Sequence, residues 1–82
     1  MPLYYFHITN GIRAFRDPEG VDLPNIRAAH RYALADALDM IRRDRSGCED
    51  WSAWSFEITD EFGRYALTVP FSEAGEGSSR TD

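Results

Sequence analysis

Asp17-Pro18-Glu19-Gly20-Val21-Asp22-Leu23-Pro24 is the stretch that decides the fold. Turn-forming residues stand on both sides of two apolar positions, Val21 and Leu23. Asp17-Pro18-Glu19-Gly20 ends whatever extended segment precedes it, because Pro presets φ for a turn and Gly supplies the left-handed position. Pro24 closes the block and hands over to Asn25. The Asn25 side-chain oxygen is suited to accept a bond from an early helical amide. The block therefore marks the end of a hairpin and the start of a helix. It carries no recognisable catalytic or ligand-binding chemistry.

On its N-terminal side, Leu3-Tyr4-Tyr5-Phe6-His7-Ile8 is aromatic and branched, which suits a strand. Tyr4, Phe6 and Ile8 share one face; Leu3, Tyr5 and His7 share the other. Asn10-Gly11 signals a tight hairpin of type I′, and Ile12 to Arg16 reads as its return strand. On the C-terminal side the apolar period is helical from Ile26 to Arg43. Ile26, Ala29, Ala33, Leu34, Ala37, Met40 and Ile41 fall on one face, with Arg27, Arg31, Asp39, Arg42 and Arg43 largely opposite. Arg42 and Arg43 suit the last turn of a helix, and Ser46-Gly47 offers a stop. The small residues Ala29, Ala33 and Ala37 would let the helix approach a sheet closely, leaving aromatic strand residues to fill the core.

Cys48 to Ser52 reads as a polar connector. Trp54, Phe56 and Ile58 then alternate with polar residues as a half-buried strand does. Asp60-Glu61-Phe62-Gly63-Arg64 is a turn. Tyr65, Leu67, Val69 and Phe71 alternate with Ala66, Thr68 and Pro70, and Pro70 marks a strand end or sheet edge because it cannot donate to a ladder. The order predicts an α+β domain: ββαββ, a four-stranded antiparallel sheet with one helix on one face, spanning residues 1–71. Residues 72–82, acidic and rich in Ser and Gly, read as a disordered tail.

The chain has 82 residues and a net charge of −5, and all nine of its basic residues are Arg. An acidic balance argues against nonspecific nucleic-acid binding, which needs clustered cations. The N-terminus lacks the pattern of a signal peptide, and no apolar run approaches a membrane span. A single cysteine without an export signal fits a reducing cytoplasm. A core this small supplies little stability, and a lone Cys48 allows no internal disulfide, so self-association is expected.

No residue set announces a reaction. His30 lies near the middle of the apolar helix face, either as a titrating switch or as a core histidine bonded to a carbonyl or a tyrosine. The second reading is favoured because no nucleophile or carboxylate pattern accompanies it. His7 shares a face with Tyr5, and the alternation puts it on the opposite side of the sheet from His30, which argues against a metal site between them. Cys48 stands beside Glu49 and Asp50, whose charges disfavour a thiolate. The pairs Glu49-Asp50 and Asp60-Glu61 read as solvated turns. No catalytic residue, cofactor or metal is expected. The aromatic surplus is the least ordinary feature. Tyr5, Phe15, Trp51, Trp54, Phe62 and Tyr65 cannot all lie under one short helix, and aromatics and Arg are enriched in interface hot spots. Tyr5, Trp51, Trp54 and Phe62 are the candidate interaction surface.

Met1-Pro2-x-Tyr4-x-Phe6, Asn10-Gly11, the Asp17-x-Glu19-Gly20-Val21-Asp22-Leu23-Pro24 block, Ala29 and Ala33, Phe56-x-Ile58-x-Asp60-x-x-Gly63 and Leu67-Thr68-Val69-Pro70-Phe71 together form a pattern. It resembles a family of short bacterial proteins, common in alphaproteobacteria, classified only as a domain of unknown function. The resemblance covers residues 1–71 and implies a compact ββαββ protein of the cytoplasm. It brings no activity and no catalytic residues. Trp51, Trp54 and the tail lie outside the pattern.

Three functions remain open at this level. The first is a non-enzymatic protein–protein interaction module, expected as a homodimer that also takes another protein as partner. The second is a nucleic-acid-associated regulator, antitoxin-like or RNA-contacting, suggested by Arg27, Arg31 and Arg42 with stacking aromatics and opposed by the acidic charge. The third is a small enzyme or ligand carrier whose pocket forms at a dimer interface. The first is preferred.

Overall fold

The computed structural model describes residues 2–44, 46–47 and 50–74. Cys48, Glu49 and residues 75–82, on which expectations were placed above, lie outside the described residues. Five strands and one long helix follow in order: β1 (Leu3–Thr9), β2 (Ala14–Phe15), β3 (Val21–Asp22), α1 (Ile26–Arg43), β4 (Ser55–Asp60) and β5 (Tyr65–Pro70). A short 3-10 turn, Trp51–Ala53, precedes β4. The sheet is antiparallel in the order β2-β1-β4-β5, with β3 also pairing β1. The predicted α+β class and ββαββ plan hold, and β1 and β4 are the central strands.

The first hairpin differs from its predicted form in two ways. The Asn10-Gly11 turn is not type I′: Gly11 has φ +90°, but no non-glycine residue described has positive φ. Thr9 pairs with Ala14, so the loop spans residues 10–13. Side chains close it. The Asn10 amide oxygen accepts the Ile12 and Arg13 N–H groups at 2.9 and 2.7 Å, and the Thr9 hydroxyl donates to the Arg13 carbonyl. The return strand, expected over 12–16, is also broken into β2 and β3. Ile8 pairs with Phe15 and Tyr4 with Val21, so residues 16–20 face only residues 5–7 of β1. Two extra residues must bulge outward, and the Asp17–Gly20 turn is that bulge.

Gly20 is fixed by this geometry. Its φ is +77°, and a Cβ there would lie 3.1 Å from Leu3 Cγ and from Tyr5 Cε2. Gly20→Ala is expected to cost about 1–2 kcal/mol from the left-handed backbone alone, before either side chain moves, and a urea midpoint measures it. A midpoint equal to that of the unmodified chain would show that the bulge is free to rearrange.

Helix α1 starts where Asn25 caps it, accepting the Ala28 N–H at 2.9 Å. It ends at Arg43. Ala29, Ala33 and Ala37 are all fully buried, so the helix backbone lies close on the sheet. Phe56, Ile58, Val69 and Phe71 fill the space beneath it and are the largest fully buried side chains. Each such burial is worth roughly 1.5–3 kcal/mol. The fold is one helix and one sheet thick, with a shortest dimension of 17 Å. The far side of the sheet therefore carries no second layer among the described residues.

The chain does not leave the fold at Phe71, where the domain boundary was placed. Residues 71–74 are helical and Ala74 is buried. Phe71 turns its N–H to the Trp54 carbonyl at 2.9 Å. Its ring lies against Phe56 at 5.0 Å and Trp51 at 5.4 Å.

Candidate functional site

Asp17 organises the broken edge. Its Oδ2 accepts the Phe6 N–H at 3.1 Å, on the side of β1 where the gap between β2 and β3 leaves no strand partner. Its Oδ1 accepts the N–H groups of Glu19 and Gly20 at 3.0 and 3.3 Å. Its own N–H donates to His7 Nδ1 at 3.0 Å. His7 is therefore the tautomer protonated at Nε2, which faces the Thr59 hydroxyl at 3.1 Å. Partial burial pushes the Asp17 carboxyl up, but the backbone N–H groups of Phe6, Glu19 and Gly20 outweigh it and hold the acid below its usual range.

The Asp17 turn stands between two clefts, and Arg16 and Asp17 line both. The larger, about 310 Å³, opens between the bulge and helix α1. Phe6 and Phe56 lie at its floor, and Phe15 and Tyr32 line it nearer solvent, being 55% and 41% exposed. These rings belong to a longer series. Tyr32, Phe6, Phe56, Phe71, Trp51, Trp54 and Phe15 follow one another with centroids 4.9–6.2 Å apart. Both exposed ends of the series open into this one cleft.

Asp36 enters the same cleft one turn of helix beyond Tyr32. It is half-buried, and among the described residues no donor lies within hydrogen-bonding reach of its carboxylate. Burial raises its pKa, the Asp39 charge adds to the rise, and Arg43 opposes it. Arg43 itself pairs with Asp39 at 3.2 Å. Asp36, Tyr32 and the cleft itself were not foreseen from the sequence. The available signal was the placement of Tyr32 and Asp36 four residues apart on the flank of the Ala29-Ala33-Ala37 stripe.

The smaller cleft, about 210 Å³, lies on the uncovered sheet face and is lined by Tyr5, His7, Thr59 and Glu61 among others. The register sets Tyr5, Thr59 and Tyr65 in one cross-strand row. The alternation grouped Tyr65 with Leu67 and Val69, while the aromatic surplus left it among the rings that one helix cannot all cover. A bulge between Ile58 and Thr59 slips the pairing by one residue and turns Tyr65 outward, 65% exposed. Its hydroxyl meets that of Thr68 at 2.8 Å. Phe62, in the turn between β4 and β5, is 71% exposed with the Arg64 guanidinium 5.0 Å above its ring.

The four candidate surface residues therefore separate. Tyr5 and Phe62 lie on the open face or its rim. Trp54 is buried in the core, and Trp51 is half-buried against Phe71 with its indole N–H on Asp44 Oδ2 at 2.8 Å. Trp54 is therefore not a surface contact, whereas Trp51, stacked on Phe71, keeps part of its indole exposed. His30 is not a core histidine either. It stands at the helix edge, with Nε2 3.3 Å from Glu73 Oε1. Asp60 is occupied by its own turn. The Arg64 N–H, then the Phe62 N–H and the Arg64 guanidinium, keep its carboxyl below the usual range. Among the described residues no three His, Cys, Asp or Glu side chains gather as metal ligands, and no helix is long and apolar enough to cross a membrane.

The fold and its clefts define a two-layer α+β domain with an interrupted first hairpin. The chain belongs to the family described as a domain of unknown function, DUF6894, whose model matches residues 3–72. That agrees with the resemblance to a family classified only as a domain of unknown function. No curated protein and no solved structure matches the chain.

Proposed function

We propose that this protein is a non-enzymatic interaction module that self-associates through the uncovered face of its sheet. The observation that carries this reading is the aromatic row on that face. Tyr65 and Phe62 are largely exposed, and Tyr5, half-buried against Gly20 of the bulge, continues the row across the sheet. Exposed aromatics clustered on one face are what an interface core requires. Strand β5 adds a second feature, since its outer edge pairs with no other described strand. A homodimer would bury both. A cytoplasmic setting belongs to the same proposal, because one cysteine in the chain suits a reducing compartment.

Light scattering tests the reading. The unmodified chain is expected to elute as a dimer. The double substitution Phe62→Ser with Tyr65→Ser, at positions already exposed, is expected to leave the fold intact and the protein monomeric. A double variant that keeps the mass of the unmodified chain would remove this face as the interface.

A further inference from the structure

We propose that the cleft between the Asp17 turn and helix α1 binds an arginine side chain presented by a basic partner protein, with Asp36 receiving the guanidinium and Tyr32 and Phe15 beside it. The inference rests on the interaction-module reading for its class of partner, but it uses the layer opposite the self-association face.

Shape is the first argument. A volume of about 310 Å³ is at the lower end for ligand sites, which run roughly from 300 to 1,000 Å³, and suits one long side chain rather than a large cofactor. The second is the lining. The two exposed ends of the ring series, Tyr32 and Phe15, both open here, and Phe6 continues from Tyr32 at 4.9 Å. A planar guanidinium stacks on such rings and leaves its edge free for a carboxylate.

Charge is the third. The lining holds three carboxylates, Asp17, Glu19 and Asp36, against one guanidinium, Arg16. Asp17 is already occupied by three backbone N–H groups. Asp36 has no hydrogen-bond donor among the described residues; it is half-buried, the Asp39 charge adds to the cost, and Arg43, already paired with Asp39, relieves part of it. A half-buried carboxylate without a donor is costly until a cation reaches it. Arginine answers both features at once, with two N–H groups for the carboxylate and a flat face for the rings. An anion would meet three carboxylates. The local excess of carboxylates over guanidinium in this lining draws a basic protein. Arg16, exposed at the mouth, is the competing cation.

The probe is the peptide acetyl-Gly-Arg-Gly-amide, titrated into the full 15N-labelled chain, with the same peptide carrying neutral citrulline as control. Amide shifts are expected to saturate around Phe15, Gly20, Tyr32 and Asp36 with the arginine peptide and to stay still with citrulline. Asp36→Asn is expected to weaken binding by at least about tenfold, as losing a charged hydrogen-bond partner does. Tyr32→Ser, at a partly exposed position, is expected to weaken it too, and Arg16→Ala to strengthen it. Equal response to citrulline, an Asp36→Asn variant that binds as well, or shifts confined to the open sheet face would overturn the site. Dilution of the protein alone should leave the cleft amides unmoved; movement there would overturn the partner in favour of a second copy. A chain found monomeric by light scattering removes the self-association reading without touching this titration, so the two fail separately.

Discussion

Replacing Phe71 by Ala is expected to leave most of the protein unfolded at room temperature. Phe71 lies just past Pro70, where the alternation of the last strand stops, yet its ring is fully buried. It stacks on Trp51 within 5° of parallel and on Phe56, so its removal opens a cavity with rings on two sides. Phe→Ala in a core costs about 3–5 kcal/mol. A core of this size supplies only a few kcal/mol in all, so the loss is comparable with the total. Far-UV circular dichroism with a urea titration measures it. Phe15→Ala is the control, since Phe15 is 55% exposed and its loss should stay within about 0.5–1 kcal/mol. A Phe71→Ala protein with an unchanged midpoint would show that the C-terminal turn does not close the core.

Asp17→Ala is expected to cost about 2–3 kcal/mol, the largest loss from any substitution outside the core. One carboxylate satisfies three backbone N–H groups, and that of Phe6 lies in a gap of the sheet edge where no strand can replace it. Losing a charged acceptor costs roughly 1.5–3 kcal/mol, and partial exposure of the turn lets water recover some of the rest. The effect depends on pH. Asp17 gives up its proton more readily in the folded protein than in the unfolded chain. Its contribution is therefore complete above the ordinary carboxylate value of about 4 and disappears as pH falls through the lowered folded value. The gap in stability between Asp17→Ala and the unmodified chain should be widest near neutrality and shrink in acid. A gap constant with pH would mean that the carboxylate charge does not hold the turn.

What was legible in the sequence is what is local. Asn25 caps the helix and residues 26–43 form it, because a cap and a 3.6-residue period are decided within a few neighbours. The alternation of Phe6 with Ile8, and of Trp54, Phe56 and Ile58, gave the core face of β1 and β4. The Asp17 turn was legible as a turn but not as an insert into the sheet, since its decisive bond reaches back eleven residues to Phe6. The alternation alone left the face of Tyr65 undecided, because a single bulged residue reverses which face the positions beyond it occupy. Trp51 and Trp54 looked like surplus because Trp51 is covered by Phe71, just beyond the last strand, and Trp54 by Trp51 and Phe15. The acid-and-aromatic cleft was hidden for the same reason. Tyr32 and Asp36 lie on the helix, Phe15 on a two-residue strand, and only the register of β1 with β2 brings them to one opening.

The most direct measurement is a dilution series of the 15N-labelled chain, following every amide from millimolar to micromolar protein. If the uncovered sheet face joins two copies, the shifts that change with concentration should cluster at Tyr5, Thr59, Phe62 and Tyr65 and along the outer edge of β5. Those of Ala29, Ala33 and Ala37 should stay fixed. A spectrum that does not change with concentration while the mass stays that of one chain would contradict self-association, and changes confined to the helix side would contradict the face.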